Sequence, residues 1–110
     1  MATSTYAVLA QLKPNATTLT TLFTVPVNTQ VVAANVRVCN QSATPTTFRG
    51  SVAVNGAGDT PAQYHYYDAP IEGNETKDIF QGTTLGPGDV VRVYNTLATL
   101  SFNLSGVKLT

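Results

Sequence analysis

Hydrophobic and polar positions alternate with a period of two along most of this chain, the spacing of strands and not the 3.6 of helices. The clearest run is 31–40, where Val32, Ala34, Val36 and Val38 fall on one face and Ala33, Asn35, Arg37 and Cys39 on the other, which predicts a central strand. Upstream, Tyr6, Val8, Ala10 and Leu12 alternate with Ala7, Leu9 and Gln11. Both sets are largely apolar, so this strand is expected to be buried on both sides until Lys13-Pro14-Asn15 breaks it. The β-branched and aromatic run from Leu19 to Val25 predicts a second strand, ended by Pro26 and Asn28. Phe48, Gly50, Val52 and Val54 alternate with Arg49, Ser51 and Ala53 after the turn cluster Ser42-Ala43-Thr44-Pro45. The expected arrangement is a long hairpin with 31–40, Arg37 and Arg49 facing outward.

The stretch 55–61 holds two glycines and a proline within seven residues and reads as a loop. Recognition tends to sit on such loops, which makes Asn55, Gly56, Gly58 and Asp59 candidate contact positions. An aromatic strand follows from Gln63 to Asp68, with Tyr64 and Tyr66 on one face, His65 and Tyr67 on the other, and Ala69-Pro70 at its end. The last forty residues read as strand, turn, strand, turn, strand, an antiparallel meander. In its Leu85-Gly86-Pro87-Gly88-Asp89 turn, Pro87 presets φ, Gly88 supplies a positive φ and Asp89 caps. One long or two short strands fill 97–110. About eight strands with turn signals every ~8–12 residues predict an all-β, single antiparallel β-sandwich, jelly-roll or Ig-like. It spans 1–110 as one domain, with 1–5 a polar, unpatterned, flexible N-terminal arm expected to order only on assembly.

Composition narrows the function. A chain of 110 residues can build one hydrophobic core. Six basic and six acidic residues cancel, which argues against a basic nucleic-acid-binding face. Charged residues make up 11% of the chain against roughly 25% in ordinary soluble domains, so Thr, Asn, Gln, Ser and Ala must cover the surface. That suits a subunit kept in an assembly better than a free monomer. No basic segment followed by an apolar core opens the chain, and no apolar run approaches the ~20 residues of a membrane span, so synthesis in a cytoplasm and no membrane partner are expected. The sequons at Asn15, Asn40, Asn74 and Asn103 are those a Thr- and Asn-rich chain forms by chance.

Little of the sequence looks like chemistry. His65 is the single histidine and Cys39 the single cysteine, so neither a two-histidine metal site nor a zinc-spaced cluster can form; no cofactor and no metal are expected. Cys39 reads as a small buried hydrophobe and His65 as a ring stacked among strand tyrosines or at an interface. Ser51, His65 and Asp68 could be written as a triad, as in any chain with one histidine, but there is no nucleophile elbow. Asp59, Asp68, Glu72, Glu75, Asp78 and Asp89 each fall where a turn explains them. The expectation is a binding protein and not an enzyme. Its candidate interface or ligand surface is Tyr64, His65, Tyr66 and Tyr67 with Arg37 and Arg49, suited to a neighbouring subunit or a sugar. Tyr94 and Arg92 are further candidates for interface packing and pairing.

Several segments carry a resemblance. Ala10-Gln11 with Pro14, Phe23-Thr24-Val25-Pro26, Val38-Cys39-Asn40-Gln41-Ser42-Ala43, Tyr66-Tyr67-Asp68-Ala69-Pro70-Ile71 and Ser101-Phe102-Asn103-Leu104-Ser105-Gly106-Val107 resemble a family of small, uncharacterised or virion structural proteins of tailed bacteriophages, cyanophages among them. The resemblance runs from about Ala10 to Leu109 and rests on packing and turn signals. It implies a virion location and no catalytic residue. The role it favours is a capsid decoration (cement) protein, bound outside the head to the major capsid protein or another virion protein as a homo-oligomer, a trimer by preference. The alternative is a tail-, baseplate- or fibre-associated module presenting 55–61 to a partner or a host glycan.

Overall fold

The structure, a computed structural model, describes residues 3–110. Among them are eight strands: β1 (Ser4–Leu12), β2 (Thr20–Thr24), β3 (Gln30–Asn40), β4 (Thr46–Ala53), β5 (Tyr64–Ile71), β6 (Thr76–Leu85), β7 (Val90–Asn95) and β8 (Leu100–Leu109). They form two antiparallel sheets in the orders β1-β8-β3-β6 and β2-β7-β4-β5. First strand pairs with last, second with seventh, third with sixth and fourth with fifth. The chain is thus one long hairpin folded at β4–β5, rolled so that successive pairs go to opposite sheets. That is a jelly roll, and it decides against the Ig-like alternative.

This topology corrects two expectations. β3 and β4 are not a hairpin, because they lie in different sheets and 41–45 carries the chain between them. The C-terminal strands are not a meander, since β6 and β8 belong to one sheet and β7 to the other. A short turn serves equally to join neighbours in one sheet or to cross the ~10 Å between packed sheets, so period and turn length alone leave the choice open.

Four smaller corrections have local causes. β1 is exposed for most of its length, with Tyr6 80% and Val8 59% accessible, because it is a sheet edge that nothing covers. The arm is ordered from Thr3 onward: Thr3 and Thr110 exchange backbone hydrogen bonds of 2.8 and 3.0 Å, and Ser4 and Thr5 pair with Leu109 and Lys108. Met1 and Ala2 lie outside the described residues. β5 runs through Ala69-Pro70 to Ile71, since on an edge strand the missing proline N–H breaks no ladder. In β3 a bulge at Ala33 (φ 53°) shifts the phase, so that Val31, not Val32, joins Ala34, Val36 and Val38 inside, and Cys39 is only half-buried.

The core lies between the sheets. Val36 and Val38 of β3 with Phe102 and Leu104 of β8 meet Phe48 of β4 and Val91 and Val93 of β7, Phe48 and Phe102 packing edge to face at 6.4 Å. At one end the buried Asn40 side chain knits two crossings together. Its amide donates to Thr44 O (2.9 Å) and Glu72 O (3.1 Å), and its carbonyl accepts from Ser42 N. Here Gly73 lies so close to 41–45 that a Cβ would collide with the backbone of Ala43. Gly73→Ala must therefore push two backbones apart. The expected loss is ~1–3 kcal/mol of unfolding free energy, read from the urea midpoint, whereas Gly58→Ala, with open space around it, should change stability little.

Candidate functional site

The outer face of the β2-β7-β4-β5 sheet carries a cluster of polar and aromatic side chains around Arg49. Arg49 of β4 stands directly opposite Tyr94 of β7. On its other side β5 carries two register shifts against β4. These bulges cancel the period of two. Tyr64 and Tyr67, three residues apart, share one face with their rings edge to face at 5.3 Å, while Tyr66 between them turns inward against Phe48 and Phe80. Asp68, at φ 49°, is swung back toward Arg49.

Arg49 is held from three directions. Its Nε donates to Asp68 Oδ1 (2.7 Å) and its Nη2 to Asp68 Oδ2 (3.4 Å), and its guanidinium carbon lies 4.1 Å from the Tyr67 ring centre and 4.5 Å from that of Tyr94. The hydrogen bond to Asp68 raises the Arg49 pKa further above its already high ordinary value, so the charge is permanent. A half-exposed ion pair of this kind contributes only ~0.2–1 kcal/mol, and each ring contact ~0.5–1 kcal/mol. Their joint effect is to fix the plane of the guanidinium.

The connection from β4 to β5 builds the wall beside it. The expected loop contains two short 3₁₀ turns, Val54–Gly56 and Pro61–Gln63, and it folds back against its own sheet. Asn55 N donates to Asp89 Oδ1 (2.9 Å), Arg92 Nη2 to Ala57 O (3.1 Å), and Gln63 Nε2 to Gly58 O (2.7 Å). Asp89 also caps its own turn, its Oδ2 accepting from Gly86 N (2.8 Å), as the sequence predicts. Asp59 is thereby set over the sheet, where its Oδ2 accepts from the Tyr64 hydroxyl at 3.1 Å. Arg49, Asp59, Thr60, Pro61, Tyr64 and Tyr67 line an open groove of about 480 Å³.

The predicted site residues divide accordingly. Arg49, Tyr64, Tyr67 and Asp59 come together. Tyr66 is half-buried against the core, and its hydroxyl accepts from Phe80 N. His65 is exposed, packed on Phe80 (5.0 Å) and outside the groove. Arg37 lies on the other sheet, paired with Asp78 at 3.0 Å. Asn55 and Gly56 take positive φ and serve the loop's geometry, and Gly58 supplies an acceptor to Gln63. Tyr94, Thr60 and Pro61 complete the site. Only the strand pairing shows that Tyr94 faces Arg49.

A second surface is the β1 edge. Among the described residues three of the four edge strands are protected: β5 has Pro70 and two bulges, β6 has Lys77, Asp78 and positive φ at Phe80 and Gly82, and β2 is five residues long with a register shift. β1 is nine residues long, with one bulge, no charge and no proline. Among the described residues there is no group of three or more His, Cys, Asp or Glu side chains placed to hold a metal, and no helix is long and apolar enough to cross a membrane.

The groove has a titration signature. Burial, then the hydrogen bond to Asp59 and its charge, push the Tyr64 phenol above its ordinary 10.0. The folded state then keeps this proton where the unfolded chain has lost it, so the stabilisation is whole below about pH 10 and disappears as pH rises through the folded value. Urea unfolding from about pH 9 to about pH 11 should show a shallower alkaline loss in Tyr64→Phe than in the parent; coincident slopes would refute the assignment. No protein-family model matches the chain and no curated protein matches it.

Proposed function

We propose that this chain is a structural subunit of a tailed-bacteriophage virion, a capsid decoration protein that acts by binding and not by turnover. The observation that carries the reading is the open β1 edge. Among the described residues its outer backbone N–H and C=O groups have no strand partner, and Tyr6 and Val8 beside them are exposed apolar side chains. Such an edge joins another chain by strand addition, and a free monomer ordinarily blocks it. A second copy of this chain is the proposed occupant, because an uncharged strand can face its own kind without like-charge repulsion.

The low charge of the whole chain and the resemblance to phage virion proteins support the setting. The jelly roll is also a viral capsid architecture, a fold-level analogy that bears on setting alone. On a capsid, symmetric repetition multiplies modest interfaces into avidity. Contact with the major capsid protein then adds buried area at each lattice position.

Gold-tagged protein in intact particles should appear in many copies over the head. A few copies at the tail end would overturn the decoration role. Val8→Lys puts a charge on the open edge at an exposed position, so the fold should survive while light scattering shows loss of self-association and particles lose occupancy. Unchanged association in this variant would rule out strand addition at β1.

A further inference from the structure

We infer that the groove on the outer face of the β2-β7-β4-β5 sheet is a binding site for a neutral saccharide, with Tyr67 as the stacking ring, Arg49 as the hydrogen-bond donor and Asp59 as the acceptor. This goes beyond the decoration role and does not depend on it.

Three features of the groove select the ligand. The first is the ring. Tyr67 is 61% exposed although Arg49 lies over its ring and it meets Tyr64 in an edge-to-face contact. A fixed aromatic ring presented to solvent suits the C–H face of a sugar.

The second is the pairing of fixed donors with a fixed acceptor. Asp68 takes up Nε and one N–H of Nη2, and Nη1 donates to no group among the described residues, so part of the guanidinium's five-donor fork is available. Across the groove, Asp59 gives one oxygen to Tyr64, and its Oδ1 accepts from no group among the described residues. A hydroxyl both donates and accepts, so neighbouring hydroxyls on one sugar ring can bridge the two. An apolar ligand would desolvate Arg49 Nη1 and Asp59 Oδ1 and give neither a hydrogen bond.

The third is charge. Arg49 is already neutralised by Asp68, and counting Asp59 with Arg92, which is tied to Ala57 O, the grouping carries no net positive charge. That disfavours phosphate, sulfate and carboxylate ligands and so selects neutral sugars over acidic ones. The volume of about 480 Å³ falls within the ~300–1,000 Å³ of small-molecule sites. The walls are set before any ligand arrives, Arg49 by two rings and a carboxylate and the loop by Gln63 and Asp89, which limits the ordering cost of binding.

The purified chain should be applied to an array of neutral, sialylated and sulfated oligosaccharides, and a retained neutral oligosaccharide titrated by amide-resolved NMR. The expected result is retention of neutral sugars, with shifts at Asp59 and Tyr67, and roughly tenfold weaker binding in each of Tyr67→Ala and Asp59→Asn. Asp59 lies on an exposed loop, so its variant tests the site even if Tyr67→Ala fails to fold. In the NMR titration Val8→Lys should keep the parent's affinity per site, which separates this site from the β1 edge. Retention of no sugar, retention of acidic sugars alone, or undiminished binding in Asp59→Asn would each overturn the inference.

Discussion

The structure depends on pairing the two halves of the chain along their whole length, β1 with β8 through to β4 with β5. Among the described residues every connection except β4–β5 must cross from one sheet to the other. The crossings are short and tied down by side chains such as Asn40 and Asp89, which satisfy backbone groups that no ladder reaches. The β4–β5 connection joins neighbours in one sheet and need not bridge the core. That is why 54–63 can fold back over the outer face of its own sheet, and why the groove lies at the tip of the roll.

Departures from regular alternation place the side chains that matter. Without the bulges of β5, Tyr64 and Tyr66 would share a face and Tyr67 would oppose them. With the bulges, Tyr66 packs against the core beside Gly50, where a Cβ would sit 2.9 Å from the Phe80 ring, and Tyr64 and Tyr67 stand outside together. A bulge re-aims a side chain at the cost of local ladder hydrogen bonds, and an edge strand has fewer of these to lose. The same strand thus serves the core and the groove with adjacent residues.

The strands and the fold class were legible in the sequence because burial between two sheets enforces alternation directly. Val36 and Val38, Phe48, Val91 and Val93 all follow it. Partner and sheet were not legible, because a five-residue turn looks alike whether it doubles back or crosses. Nor was the exposure of β1, whose apolar residues resemble those of a buried strand. Of the site, Arg49, Tyr64, Tyr67 and Asp59 could be named from residue type alone. Arg37, Tyr66 and His65 have equal claims by type, and they were separated from the others by topology, a bulge and a ring contact that a linear pattern does not encode.

The two surfaces are compatible by construction. Strand addition at β1 extends the β1-β8-β3-β6 sheet in its own plane, whereas the groove opens from the outer face of the other sheet. A subunit joined through the first therefore leaves the second uncovered. Low charge would serve both: it would remove like-charge repulsion between copies at the edge, and it leaves the groove, where Arg49 is paired with Asp68, without a net positive charge to draw in anions. In a symmetric assembly every copy would present the same groove, and single contacts too weak to hold a sugar alone would be multiplied by the spacing of the lattice.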